Sequence, residues 1–386
     1  MALQDERSRL TLAADGTEPE DEGVTIDRPF DPATIDVITR TPTVDLLLKR
    51  LRNGALDLTP DFQRHAGVWS EADQSRLIES LLLRIPLPTL YAAESGDDGW
   101  VVVDGIQRLT TIARFVNPKL VAESYGSSTP LRLRDLEYLK AYEGKTYEQL
   151  PGSLQTRIDE TELLVHLIRS GTPEEVKFNI FARINTGGRP LTPQELRHAL
   201  VPGPARSLLA KLAESKEFRV ATGNSIRSSR MADREMALRF LAFRITDPNE
   251  YPRGDLDRFL VEAMHRINRL TPKDHDRLTA EFRQSMIDAY AIFGKFAFRK
   301  RDLENLRYLV PVNKALFETV SVSLAGLGKQ RVKVLVDRRK LVEERFLDLL
   351  RHDARFVSAI SVGTGDVEKV RLRFRTFRAL LEGVSA

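Results

Sequence analysis

Apolar positions recur along this chain with two periods, and the periods separate a front half from a back half. Over residues 43–56, Val44, Leu47, Leu48 and Leu51 share one helical face. A second helix is predicted from Ser70, a good N-cap with Asp73 three residues on; it should bury Leu77, Ile78, Leu81 and Leu82 until Pro86 and Pro88 end it. Residues 89–93 and 100–103 read as two strands joined by the turn Ser95-Gly96-Asp97-Asp98-Gly99. The second strand is apolar on both faces and is expected to be buried. Asp104-Gly105 stops it, and a helix follows with Ile106, Leu109, Ile112, Ala113 and Val116 at i, i+3, i+4 spacing. Residues 162–168 suit another strand and 173–184 a helix. After a loop at 185–190, Thr192 caps the next helix, with Pro193 first and Glu195 three residues past the cap. Beyond Gly203 strand signals are few, and segments 229–245, 255–269, 273–298, 312–324, 338–351 and 366–382 suit helices. The fold class expected is α+β: a small mixed sheet in front, then an all-α region. No repeat at a solenoid period is evident.

With 386 residues, two domains are the natural expectation. Residues 1–30 are polar and acidic, with Glu18, Glu20, Asp21 and Glu22 close together, and read as a disordered arm. The domains expected are then 31–202 and a helical 203–386. No apolar run reaches the roughly 18 residues of a membrane helix, and the N-terminus lacks the pattern of a signal peptide. Cysteine is absent, which excludes disulfides, thiolate catalysis and Cys-ligated zinc and fits a cytoplasmic protein. The net charge of +4 is unevenly spread: from Ser225 onward there are 32 Lys/Arg against 22 Asp/Glu, and before it 27 against 33. A basic back half points weakly to a polyanion; a solvated helical surface explains it equally well. Its densest cluster is Lys329, Arg331, Lys333, Arg338, Arg339 and Lys340, a candidate DNA contact.

Three segments could carry chemistry. Asp104-Gly105-Ile106-Gln107-Arg108 sits where a buried strand becomes a helix, a place that attracts anions. There Gly105 could let a ligand approach the main chain, Asp104 could hold a metal or act as a base, and Gln107 could orient water. Arg108 could clamp a phosphate as a surface-pocket charge whose loss spares the fold. The competing reading is a plain strand-to-helix turn with Asp104 as its N-cap. Asp61-Phe62-Gln63-Arg64 is a loop of similar composition, or else an Asx-type turn. Arg183-Ile184-Asn185-Thr186-Gly187-Gly188 could form an anion nest, or a helix C-cap and turn. No Walker A run and no G-x-G-x-x-G is present. The six histidines are scattered without metal spacing, and His166 reads as a satisfied core histidine.

In order, DFQRHAGVWSEADQSRLIESLLLRIPLPTLY, VVVDGIQRLTTIARFV and FNIFARINTGGRPLTPQELRHAL resemble the GmrSD-type restriction endonuclease N-terminal domain. The resemblance spans residues 43–200 and implies a fold similar to ParB and sulfiredoxin. It also implies nucleotide binding and hydrolysis, usually with Mg²⁺, coupled to sensing foreign DNA in anti-phage defence. The catalytic set it implies is Asp104, Gln107, Arg108 and Gln63, with Asp104 as metal ligand. The nucleotide set is Asp61, Phe62, Arg64, Gly105, Thr110, Arg183, Asn185, Thr186 and Gly187. Ile106 stands where the family usually has the first of two glutamines; if that Gln positions water, hydrolysis here is slow, and if Gln107 does so, activity survives. The His-rich nuclease domain of two-domain relatives is absent, so cutting would fall to a partner effector protein or to the front domain. The leading expectation is a nucleoside-triphosphate-binding and hydrolysing sensor or regulator contacting DNA or an effector, with self-association left open. The alternatives are a non-enzymatic DNA-binding module, a ParB-like metal-dependent nickase and an interaction scaffold.

Overall fold

The computed structural model describes residues 15–20, 32–58, 69–96, 98–122, 128–184, 191–252 and 255–385. The chain divides into two compact units, residues 29–200 and residues 201–386 together with 1–28.

The first unit is built on a five-stranded mixed sheet in the order β1-β5-β3-β4-β2: β1 Val37–Arg40, β2 Leu56–Asp57, β3 Leu90–Ser95, β4 Gly99–Asp104 and β5 Val165–Ile168. β3 and β4 form the antiparallel hairpin that the turn residues predict, and β5 runs parallel to β3. Its helices are α1 Val44–Arg52, α2 Glu71–Leu82, α3 Ile106–Val116, α4 Gly152–Asp159, α5 Glu174–Ile184 and α6 Pro193–Leu200. Ser70 caps α2 by accepting the Asp73 N–H, and Leu77, Ile78, Leu81 and Leu82 are buried, as their spacing requires. Thr192 and Glu195 exchange bonds at the start of α6, a reciprocal cap. On one face of the sheet, Ala93, Val103 and Ile168 pack against Phe181 of α5 and Leu196 of α6. Leu90, Ala92, Val102 and Leu167, which alternate with them, are buried too, so both faces are covered. His166 is half-buried, with Nδ1 3.1 Å from Thr39 Oγ1, so it is satisfied within the sheet.

Glu79 of α2 does work that no periodicity predicts. It is 3% exposed, and its carboxylate accepts the N–H groups of Glu137, Tyr138 and Leu139 at 2.9, 2.7 and 2.7 Å. Burial alone would raise this carboxyl; the three backbone donors and Lys140 outweigh it and hold it below its ordinary value.

The second unit is helical: α7 Pro204–Ala213, α8 Lys216–Thr222, α9 Ala232–Ile245, α10 Leu256–Asn268, α11 Pro272–Phe293, α12 Lys314–Ala325, α13 Lys329–Asp337, α14 Arg339–His352, α15 Ala354–Ala359 and α16 Val367–Ser385. Among the described residues, Asp15–Glu20 of the segment read as a loose arm are built into this unit. Gly16 takes φ +88°, and a Cβ there would lie 2.0 Å from the Ser225 carbonyl oxygen, so only glycine fits. Thr17 pairs with Val312 in a parallel bridge, and the Glu18 N–H donates to the Val312 carbonyl at 2.8 Å.

Three acids of this strap each meet a cation. Glu20 is gripped by both terminal nitrogens of Arg239 at 3.1 and 2.7 Å, Glu18 lies 2.6 Å from Lys300, and Asp15 lies 3.6 Å from Lys314. Arg239 also donates to Glu235 at 2.9 Å and reaches Glu318, which pairs in turn with Arg373. Arg239, Glu318 and Arg373 are essentially without solvent.

Two outcomes test these features. Arg239→Ala leaves Glu20 buried without its ion-pair partner and takes one of two cations from Glu235 and from Glu318, and should cost about 3–5 kcal/mol in chemical denaturation. For Glu79, a folded pKa below 4.5 means its contribution is complete above that value and is lost as pH falls through the folded pKa. Glu79→Gln should therefore be less stable at neutral pH and lose less on acidification, read from denaturation midpoints between pH 7 and 3.

Candidate functional site

Asp104 is the last residue of β4, and the chain turns from strand to helix through one left-handed residue, Gly105, at φ +89°. A non-glycine residue is strained there. A Cβ would also lie 2.1 Å from Leu90 Cδ2 and 3.1 Å from an Arg108 terminal nitrogen. The side of Gly105 on which a Cβ would stand is therefore filled by Leu90 and Arg108. Gly105 is also the N-cap of α3, and no side chain caps the helix. This corrects the reading of Asp104 as N-cap.

The Asp104 carboxylate turns to Arg108. Its Oδ2 accepts from an Arg108 terminal nitrogen at 2.8 Å, and its Oδ1 has no hydrogen-bond partner among the described residues. The aspartate side chain is 34% exposed, and that of Arg108 is 11%. The other contacts of Arg108 are carbonyls: Pro88 O, and Thr89 O at 3.3 Å from both terminal nitrogens. Burial pushes the guanidinium down against the upward pull of Asp104. Arg108 is thus a half-buried clamp holding α3 to the approach of β3, not a surface-pocket charge. Its removal would strand two carbonyls and a carboxylate.

Gln107 is half-buried in the first turn of α3, and its side chain makes no hydrogen bond among the described residues. Ile106 is 5% exposed and packs inward, so the residue at that position does not reach solvent. Thr110, expected at the nucleotide, is 2% exposed and donates to the Ile106 carbonyl at 2.8 Å within its own helix. Arg183 is exposed in the last turn of α5. Asp61, Phe62, Gln63, Arg64, Asn185, Thr186 and Gly187 lie outside the described residues.

Sequence reasoning found α6 but passed over its buried polar side chains. Gln194, Glu195, Arg197 and His198 are all at most 1% exposed, a run of polar residues inside a small domain. Arg197 donates through Nε to Gln194 Oε1 at 2.9 Å, while Gln194 Nε2 is buried without a partner among the described residues. Leu196, between them, packs with Val103, the residue before Asp104. The signal that could have found it is the run Gln-Glu-Leu-Arg-His, too polar on every face for an ordinary amphipathic helix.

A small cavity lies at the far end of the hairpin, lined by Ala93, Glu94, Ser95, Val101, Glu174, Lys177 and Leu200. Strand pairing puts Ser95 opposite Gly99 and Tyr91 opposite Asp104, so this cavity and Asp104 are at opposite ends. Burial pushes the Lys177 amine down, against Glu174 and Glu94. Among the described residues no three His, Asp or Glu side chains gather as a metal site, and no helix is long and apolar enough to cross a membrane.

Gly105→Ala should cost at least about 1–3 kcal/mol from backbone strain alone, with more from the displaced Leu90. Denaturant midpoints would measure it.

A family model described as GmrSD restriction endonuclease, N-terminal domain, matches residues 44–202. No curated protein and no solved structure matches the chain. The likeness to ParB and sulfiredoxin therefore stands as an implication of the motifs alone.

Proposed function

We propose, on the match of residues 44–202 to the GmrSD restriction endonuclease N-terminal domain family, that this chain is a nucleotide-hydrolysing component of restriction-type anti-phage defence. The observation that carries the proposal is the state of Asp104. It stands at the end of a central strand, one oxygen fixed by Arg108 and the other without a partner among the described residues, beside a helix start that no side chain caps. The ends of strands and the starts of helices are where phosphates bind in open sheets.

The roles differ from a simple reading of the motif. Arg108 is a positioning residue: it aims Asp104 and ties α3 to β3. Gln107, whose amide makes no hydrogen bond among the described residues, orients the attacking water. The α3 N-terminus attracts the phosphate chain, and Arg64 and Arg183 supply the cations that Arg108 does not spare. One available carboxylate, with no preformed acidic cluster among the described residues, fits Mg²⁺ held mainly by nucleotide phosphates and water. Bound there, the ion would withdraw charge from the phosphates, and Asp104 Oδ1 is the atom of this segment that would meet it. Because Ile106 is buried, hydrolysis depends on Gln107 and survives the missing first glutamine. The output goes to DNA or to a partner effector protein.

Asp104→Asn keeps the bond from Arg108 and removes the charge. Mg²⁺-dependent phosphate release should fall by about 10²-fold or more while the melting temperature stays close to wild type. A thermal-shift screen of the four ribonucleotides with and without Mg²⁺ should show stabilisation that needs both. Undiminished release by the variant, or no shift with any nucleotide, would overturn this reading.

A further inference from the structure

Six cations crowd the elbow between α13 and α14. Lys329, Arg331 and Lys333 lie on α13, and Arg338, Arg339 and Lys340 at the junction, with Asp337 the one acid from 329 to 340. All six are exposed. None forms an ion pair among the described residues. Some other surface cations of this unit are matched: Arg258 by Glu262, Arg277 and Arg244 by Glu281.

The array is held in place. Val332 and Leu335 bury the inner side of α13, so packing decides which side faces solvent. Arg338 donates to the Val384 carbonyl at 2.8 Å, which ties the elbow to the end of α16. Neither helix has an acid in its first turn, and cations stand there instead. A cation at the positive end of a helix is unfavourable unless an anion joins it.

The surroundings narrow the partner. Phe346, the one Phe, Tyr or Trp of α13 and α14, is buried, so neither helix of the elbow offers such a ring for stacking an unpaired base. Leu341, 37% exposed, is the one large apolar side chain of the patch, too little to enter a lipid surface. What remains is a rigid set of charges, which suits the phosphates of a duplex without reading its bases.

We propose that the α13–α14 elbow is a sequence-independent contact surface for the backbone of duplex DNA. Only the choice of DNA as the polyanion rests on the restriction-type reading above. The test is fluorescence anisotropy of a labelled duplex with the full chain, without nucleotide, across a salt series. Wild type should bind with a steep salt dependence. Combined Lys329→Ala, Lys333→Ala, Arg339→Ala and Lys340→Ala should flatten the log–log slope by roughly one unit for each phosphate no longer neutralised, with affinity falling at least tenfold. Lys273→Ala with Arg269→Ala, equally exposed but outside the patch, should change little. An unchanged slope in the fourfold variant overturns the proposal, as does wild-type binding to phosphatidylserine vesicles but not to DNA. If the fourfold variant does not fold, Lys329→Ala with Lys333→Ala gives the same reading, with half the change expected. Phosphate release without DNA, measured in parallel, should match wild type. It separates failure of this surface from failure of the nucleotide site, because loss of hydrolysis in wild type would leave the DNA slopes standing.

Discussion

The single left-handed residue between β4 and α3 is the constraint on which the front unit turns. A buried strand must give way to a helix within one residue, and at φ +89° only glycine does so without strain. The tight turn brings Arg108 back over the strand end, where it meets Asp104 and two carbonyls. One guanidinium thereby fastens strand, helix and neighbouring loop together. The exposed carboxylate oxygen is a by-product of that fastening: with one oxygen held, the other has a fixed place in space, which is what a catalytic or ligating group requires.

Much of this was legible in the sequence because local rules dominate there. Ser70 and Thr192 sit at their caps, the Val101–Val103 strand is buried, and α3 carries Ile106, Leu109 and Ile112 inward. What was not legible depends on partners distant in sequence. Nothing within Asp-Gly-Ile-Gln-Arg says that Arg108 will be occupied by the Pro88 and Thr89 carbonyls, twenty residues upstream. Glu79 gives no sign of the three amides it holds almost sixty residues away. The acidic strap misled for a related reason. Clustered carboxylates favour disorder unless buried cations await them, and Arg239, Lys300 and Lys314 are scattered through the helical region where each reads as surface charge. Helices α7 and α8 were missed because Gly203, Pro204, Ser215 and Gly223 cut the region into pieces of ten and seven residues, too short for a clear period.

The helical unit uses its positive charge in two opposed ways. Arg239, Arg373 and Lys314 are desolvated and matched by acids, so their energy depends on geometry. The cations of the elbow are solvated and unmatched, so their effect is a field reaching outward. A count of Lys and Arg cannot separate the two populations, which is why the basic balance of the back half said little by itself.

That separation has a practical consequence. Mobile ions damp charges in contact with water over about ten ångströms at ordinary ionic strength, but they do not enter a core that excludes water. The lock formed by Glu20, Arg239, Glu318 and Arg373 is therefore shielded from the solvent's electrolyte, although it is made of charges. Concentrated brine would strip the outside of the molecule of its electrostatic reach and leave the inside folded as before.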